Sequence, residues 1–294
     1  MAQFVKEIWR YPVKSMRGER LDQTQLGKSG IPFDRGWAVR DEADHAIRGA
    51  KQIAGLLNCS ARYLMDTPAA PVPMAEITLP DGRRVNTDDT KVNAALSDVA
   101  GRAVTLWPLQ PRENTAHYRR APVADVEAYL RNTFALEADE PLPDLSAFPP
   151  DVLSEISVYA SPLGTYFDAF PVNVLTEASL RYMRSLLPDS VIDVRRFRPN
   201  FLVGDDGAEA APVEFDWVGR EISMGAARIA AIMRCPRCIM TTRAQEGAGV
   251  NLPRDSAIMR ALVRETEQNL SIYATVAHEG RVAVGDIVGV KAAA

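Results

Sequence analysis

The chain has 294 residues, 47% hydrophobic and 24% charged, which suffices for a substantial buried core and excludes a disordered or fibrous class. With 34 Lys and Arg against 38 Asp and Glu, its formal charge is −4. That balance excludes broad adhesion to nucleic acid or to an anionic membrane, so any basic site must be local.

The opening Met1-Ala2-Gln3-Phe4-Val5-Lys6-Glu7-Ile8 lacks the uninterrupted apolar run of a secretion signal, and no later run reaches bilayer length. A cytoplasmic protein with neither nucleic acid nor membrane as partner is expected. Short strands are predicted at Phe4 to Trp9, Trp37 to Arg40, Glu76 to Leu79 and from Val85 onward. Pro80-Asp81-Gly82 supplies the turn before the last, because Asp-Gly tolerates positive φ. Cys59, in Leu56-Leu57-Asn58-Cys59-Ser60-Ala61, reads as a small buried residue.

A helix is predicted over Ala124 to Phe134. Glu137 to Asp151 then gathers Pro141, Pro143, Pro149 and Pro150 with five acidic residues, which deny backbone donors and resist burial. A boundary is placed there, giving domains 1–145 and 146–294. Beyond it Pro171 to Leu175 reads as a strand, Thr176 can cap a helix with Leu180, Met183 and Leu187 on one face, and a second helix starts at Asp255. Further strands are expected at Phe201 to Val203, Arg228 to Met233 and Ile272 to Val276. A turn over His278 to Arg281 and a strand from Val282 to Val288 follow. The pattern is α+β, β-rich, with two domains and a few covering helices.

Two of the three cysteines stand in Cys235-Pro236-Arg237-Cys238, followed by Ile239-Met240-Thr241-Thr242. A structural zinc needs four ligands, and His45, His117, His278 and Cys59 offer none at ligand spacing. A thioredoxin-like pair would open a helix, whereas strand and loop are expected here. Simple packing of two small residues is the remaining plain reading. Arg234 and Arg237 shift the balance, since a neighbouring guanidinium favours the thiolate that binds a soft metal. Pro12-Val13-Lys14-Ser15 could present an ammonium, a hydroxyl and backbone amides to a phosphate. In Arg195-Arg196-Phe197-Arg198-Pro199-Asn200, Arg198 and Asn200 could hold a phosphate and a heterocycle edge, whereas Arg195 and Arg196 read as a solvated face.

Tyr11-Pro12-Val13-Lys14-Ser15, Asp34-Arg35, Arg196-Phe197-Arg198-Pro199-Asn200, Cys235 to Thr242 and Gly285-Asp286-Ile287-Val288 together resemble, in order, MOSC-domain proteins that carry an N-terminal MOSC β-barrel domain. Among these the amidoxime-reducing components are similar over nearly the whole chain. The resemblance implies an N-terminal MOSC-type β-barrel or sheet domain and a C-terminal MOSC β-barrel. It also implies a molybdenum cofactor, Mo-molybdopterin, with Cys238 as thiolate ligand and catalytic residue and Cys235 behind it. Lys14, Ser15, Arg35, Asp168, Arg198 and Asn200 would hold the phosphate and pterin, and Arg237 would lie beside the metal.

The implied activity is reduction of a small N-oxygenated molecule. No cysteine follows Cys238, so the four-cysteine iron–sulfur cluster that some relatives append is not expected, and a separate flavin or iron–sulfur donor protein is implied. The rival readings are a non-catalytic cofactor carrier and a persulfide carrier using Cys238. Two departures stand out: Pro236 replaces a serine of the amidoxime reducers, and Arg243-Ala244-Gln245-Glu246-Gly247 replaces their Val-Asp-Pro-x-Thr-Gly, with Arg243 near the expected metal mouth.

Overall fold

The first strand of the chain closes a barrel whose other strands all come from its second half. A computed structural model describes residues 2–64, 71–207, 209–247 and 249–291. The barrel strands are β1 (Gln3–Arg10), β2 (Val172–Thr176), β3 (Phe201–Asp205), β4 (Glu221–Met224), β5 (Ala227–Pro236), β6 (Asn269–His278) and β7 (Ile287–Val290). They hydrogen-bond in the circuit β1-β3-β2-β6-β5-β4-β7 and back to β1. Only β2 and β3 run parallel within it.

Side-chain alternation explains the interior. In β5, Ala227, Ile229, Ala231, Met233 and Cys235 point inward while Arg228 and Arg234 point out, the period of two that a strand imposes. Ala227, Ile229 and Ala231 join Val5, Ile8, Val174, Phe201 and Ile272 in one core, while Met233 packs with Phe148 and Phe170 in another. Strand β2 is buried at every position, because the helix Glu177–Leu186 returns over its outer face. Thr176 caps that helix as expected, its hydroxyl accepting from Ser179 N at 3.1 Å.

The N-terminal half adds two three-stranded sheets, Trp37–Asp41 with Ile47–Arg48 and Val104–Pro108, and Ser60–Tyr63 with Ala75–Thr78 and Arg84–Asn86. The helix Val92–Ala100, α1, closes their core over Leu56, Leu57, Ile77 and Leu96. Cys59 sits fully buried in that core, where desolvation pushes its thiol up to about 12. The Asp81-Gly82 hairpin forms, with Gly82 at φ 86° and Thr78 paired to Arg84.

Three details differ from the sequence expectations. The stretch from Val282 to Val288 is not one strand: Gly280–Ala283 leaves the barrel to pair with Gln23–Leu26, and Asp286 Oδ2 accepts from Ala283 N to turn the chain into β7. After Cys238 comes a 3₁₀ turn, Ile239–Thr242. The second of the expected helices starts two residues late, at Ala257, because Asp255 Oδ1 takes the Ala257 amide. Between the halves lie α2 (Val126–Phe134), capped by Asp125, and α3 (Pro150–Val158), with Pro150 in its first turn; residue 146 falls between them. Among the described residues no helix is long and apolar enough to cross a membrane.

Candidate functional site

A cavity of about 480 Å³ opens between the barrel, the N-terminal sheets and the two linker helices. Lys14, Ser15, Arg35, Asp168, Arg198, Asn200, Arg237 and Cys238 all line it. So do Arg48, Lys51, Arg120 and Arg196, which makes eight cationic side chains against one carboxylate, Asp168. A chain of net charge −4 therefore encloses a strongly positive chamber.

Asp34 organises the floor without facing the cavity. Its side chain is fully buried and accepts from Tyr11 N at 2.7 Å, from Asn200 Nδ2 at 2.9 Å and from Arg35 Nη1. Asn200 is thereby committed: its amide also donates to Trp9 O, and its carbonyl oxygen accepts from Asn173 N. It fixes the turn after Arg198 and leaves little of its amide for a ligand. Three residues of the floor, Ser15, Arg35 and Arg198, adopt left-handed backbone at φ 71°, 55° and 53°. Each such non-glycine conformation costs on the order of 1–3 kcal/mol and is a mark of a built site. Gly49 packs against Ser15 so tightly that a Cβ there would lie 2.6 Å from its hydroxyl oxygen.

The charges balance unevenly. Lys14 Nζ donates to Tyr166 O at 2.7 Å and to Asp168 Oδ1 at 3.0 Å, yet burial outweighs Asp168 and holds its pKa below the usual value. Burial works against ionised Asp168 too, but Lys14, Lys51 and Arg35 override it, so the carboxyl stays well below the ordinary range. Arg198 stacks 4.2 Å from the Tyr11 ring and donates to Met16 O, while desolvation, seconded by Arg35, brings its guanidinium down to about 10. Its Nη2 is buried with no protein partner. A desolvated guanidinium with an unused donor is suited to an anion.

Cys238 is half-buried at the start of the 3₁₀ turn. Its carbonyl accepts from both the amide and the hydroxyl of Thr241, and Thr242 Oγ1 donates to Ile239 O. The two threonines thus pin the turn that presents the thiol. Arg196, expected as a solvated residue, is 1% exposed; it clamps the same turn by donating to the carbonyls of Thr241, Arg243 and Pro253. Arg237 serves Cys235 instead of Cys238, its Nη1 lying 2.9 Å from the Cys235 sulfur and its Nη2 donating to Phe197 O. Arg243 donates to Lys51 O. That bond helps fix a lysine which sequence reasoning missed. Burial lowers the Lys51 pKa, but Asp168 and Cys238 outweigh it and keep the ammonium charged; it has no hydrogen bond or ion pair among the described residues. The signal was the basic run Arg48-Gly49-Ala50-Lys51, with its glycine against Ser15.

Tyr166, whose carbonyl receives Lys14, is braced by His117. The phenol donates to Pro108 O at 3.0 Å, which leaves His117 Nε2 at 2.7 Å to donate to the phenol oxygen. Burial, assisted by Arg40, pushes His117 down to about 4. The folded state thus favours neutral imidazole, so stability present above pH 6.5 is lost as pH falls through 6.5 towards 4. His117→Gln keeps a donor and cannot titrate; denaturant unfolding from pH 7 to 4 should show a profile flattened by on the order of 1 kcal/mol. An unchanged profile would remove His117 from the acid response.

The described arrangement matches known families. The MOSC N-terminal beta barrel domain matches residues 2–109 and the MOSC domain matches residues 164–289. The chain is a MOSC-domain protein. Among curated relatives, the bovine mitochondrial amidoxime reducing component 2 is 28% identical over 247 residues, covering 81% of this chain and 66% of that protein. The human component 2 is 26% identical over 299 residues, covering 97% and 82%, and the Xenopus laevis component 1 is 28% identical over 247 residues, covering 81% and 65%. The MOSC chain thus spans just under two thirds of the bovine and frog relatives. A solved structure, the YUAD protein from Bacillus subtilis, covers 100% of this MOSC protein and 98% of its own chain at 11% identity and a TM-score of 0.45.

Proposed function

We propose that this MOSC protein binds Mo-molybdopterin and reduces the N–O bond of a small N-hydroxylated molecule. The observation that carries the reading is one cavity holding a half-buried thiol, Cys238, and a large excess of cationic groups, among them Arg198 with an unused buried donor. The donor set fits the group: a single soft sulfur for the metal and several cations for a phosphate and its pterin. Among the described residues no three His, Cys, Asp or Glu side chains gather into a metal site of their own.

Lys14, Ser15, Arg35 and Arg198 would hold the anionic end, and Asp168 would anchor the cations around it. Cys238 would be the metal's protein ligand, with Arg237 and Cys235 fixing the strand end behind it. When bound, the cofactor would supply the two-electron chemistry. Each turnover consumes two electrons and two protons: the N–O bond breaks, N–OH becomes N–H, and the oxygen leaves as water. Lys51 Nζ, charged and otherwise unbonded, would donate a hydrogen bond to the departing oxygen. The electrons would come from a separate flavin or iron–sulfur donor protein. The names of the mammalian and frog relatives support this class of reaction.

Protein made in a host that synthesises the cofactor should carry close to stoichiometric molybdenum and release amine from an N-hydroxylated substrate when a chemical reductant is supplied. Bound molybdenum with no turnover would make it a carrier instead. A sulfur adduct on Cys238 in metal-free protein would favour persulfide transfer.

A further inference from the structure

The cavity has a second character away from its cations. Its outer wall is built by the segment between the two matched domains, chiefly Val126, Tyr129 and Leu130 from α2 and Leu153 and Ile156 from α3, and it continues into Phe148. Phe148 stacks on Phe170, which contacts the Tyr273 ring at 5.3 Å. Tyr273 lies beside Cys235, so an aromatic face runs from the linker down to the cysteine strand.

These helices are not placed by burying a core of their own. Among described side chains, α2 buries only Thr133, and α3 buries none. Val152, Leu153 and Ile156 of α3 pack only partly buried against the cluster of Phe148, Phe170 and Met233, and polar ties add to that hold. Arg120 Nη1 donates to Tyr129 OH at 2.7 Å, and its Nη2 donates to the carbonyls of Ile156 and Tyr159, joining the two helices; Gln268 Nε2 donates to Phe134 O. The apolar side chains of the wall therefore keep accessible area turned to the chamber. Apolar surface left open inside a formed cavity gains free energy when an apolar group fills it.

We infer that residues 120–157 form a specificity wall that receives the apolar, ring-bearing body of the substrate while its N-hydroxylated head turns towards Lys51 and Cys238. This rests on the reductase reading for the identity of the head, whereas the apolar subsite belongs to the polypeptide itself. A substrate with the same head and no ring would leave the wall unfilled. One or two methylene-sized contacts already separate ligands by about tenfold or more, and a ring offers several.

The test uses two amidoximes with identical heads, one carrying a phenyl ring and one a methyl group. They are titrated calorimetrically into the cofactor-free full chain and its Leu130→Gln and Ile156→Asn variants, with thermal melts to confirm folding. The phenyl compound should bind the parent at least tenfold tighter, and each variant should lose most of that difference while its weak affinity for the methyl compound is unchanged. Equal binding of the two compounds by the parent would overturn the inference. So would phenyl selectivity that survives both folded variants, which would seat the ring elsewhere in the chamber. In the cofactor-loaded protein the same ratio should appear in kcat/KM. If loaded protein binds selectively but shows no turnover, the reductase reading fails and the apolar wall stands.

Discussion

Cys238→Ser should abolish the molybdenum-dependent visible spectrum and lower N-hydroxyl reduction by at least ~100-fold, because a hydroxyl near neutral pH offers neither thiolate charge nor a soft donor. The change should leave the fold intact. Cys238 is half-exposed, serine has nearly its shape, and the turn is held by the backbone of residue 238 and by Thr241 and Thr242, so stability should stay within about 0.5 kcal/mol. Metal content, spectrum and thermal melt on one preparation separate ligand loss from unfolding. The parent's spectrum in the variant would remove Cys238 as ligand.

Arg198→Met should have the second-largest effect, and it should show in the cofactor-loaded protein and hardly at all in the cofactor-free one. In cofactor-free protein the guanidinium is buried, its Nη2 unmatched, and desolvation, with Arg35 behind it, holds its pKa down at about 10 against the electrostatic help of Tyr11. Removing it relieves that cost, offset by the bond lost to Met16 O, so the melting temperature should hardly move. Cofactor retention should fall by roughly 10–100-fold, the worth of a charge-assisted hydrogen bond or two in a desolvated site. Retention measured as molybdenum remaining after gel filtration decides it. Unchanged retention would mean that Arg198 braces Tyr11 and nothing more.

Local signals made much of the architecture legible. Short apolar segments between turns marked the strands from Phe4, Trp37 and Arg228, Asp81-Gly82 marked its hairpin, and Thr176 marked its helix start, because each depends on a few neighbouring residues. Ring closure was invisible, since the pairing of Gln3–Arg10 with Phe201–Asp205 and Ile287–Val290 joins residues some 200 or more positions apart. In the cavity, short motifs pointed to Cys238, Lys14 and Arg198. They could not say that Arg237 would turn to Cys235, that Asn200 would be spent on Asp34, or that Arg196 would be an interior clamp. Those outcomes depend on which carbonyls and carboxylates the fold leaves unpaired. Lys51 escaped for the same reason, its importance lying in Asp168 and Cys238, far off in sequence.

The placement of Gln3–Arg10 also dictates an order of assembly. A ribosome releases this strand before any of its neighbours in the ring; Ile8 to Arg10 find an early partner in Glu19–Leu21, but the pairing that shuts the ring must wait until Phe201–Asp205 has been made. Tyr11 to Ser15 follow it directly, so the loop bearing Lys14 reaches its final position only after the ring shuts. Maturation should accordingly be slow, and deletion of residues 2–10 should leave an open, sticky sheet edge in place of a closed barrel.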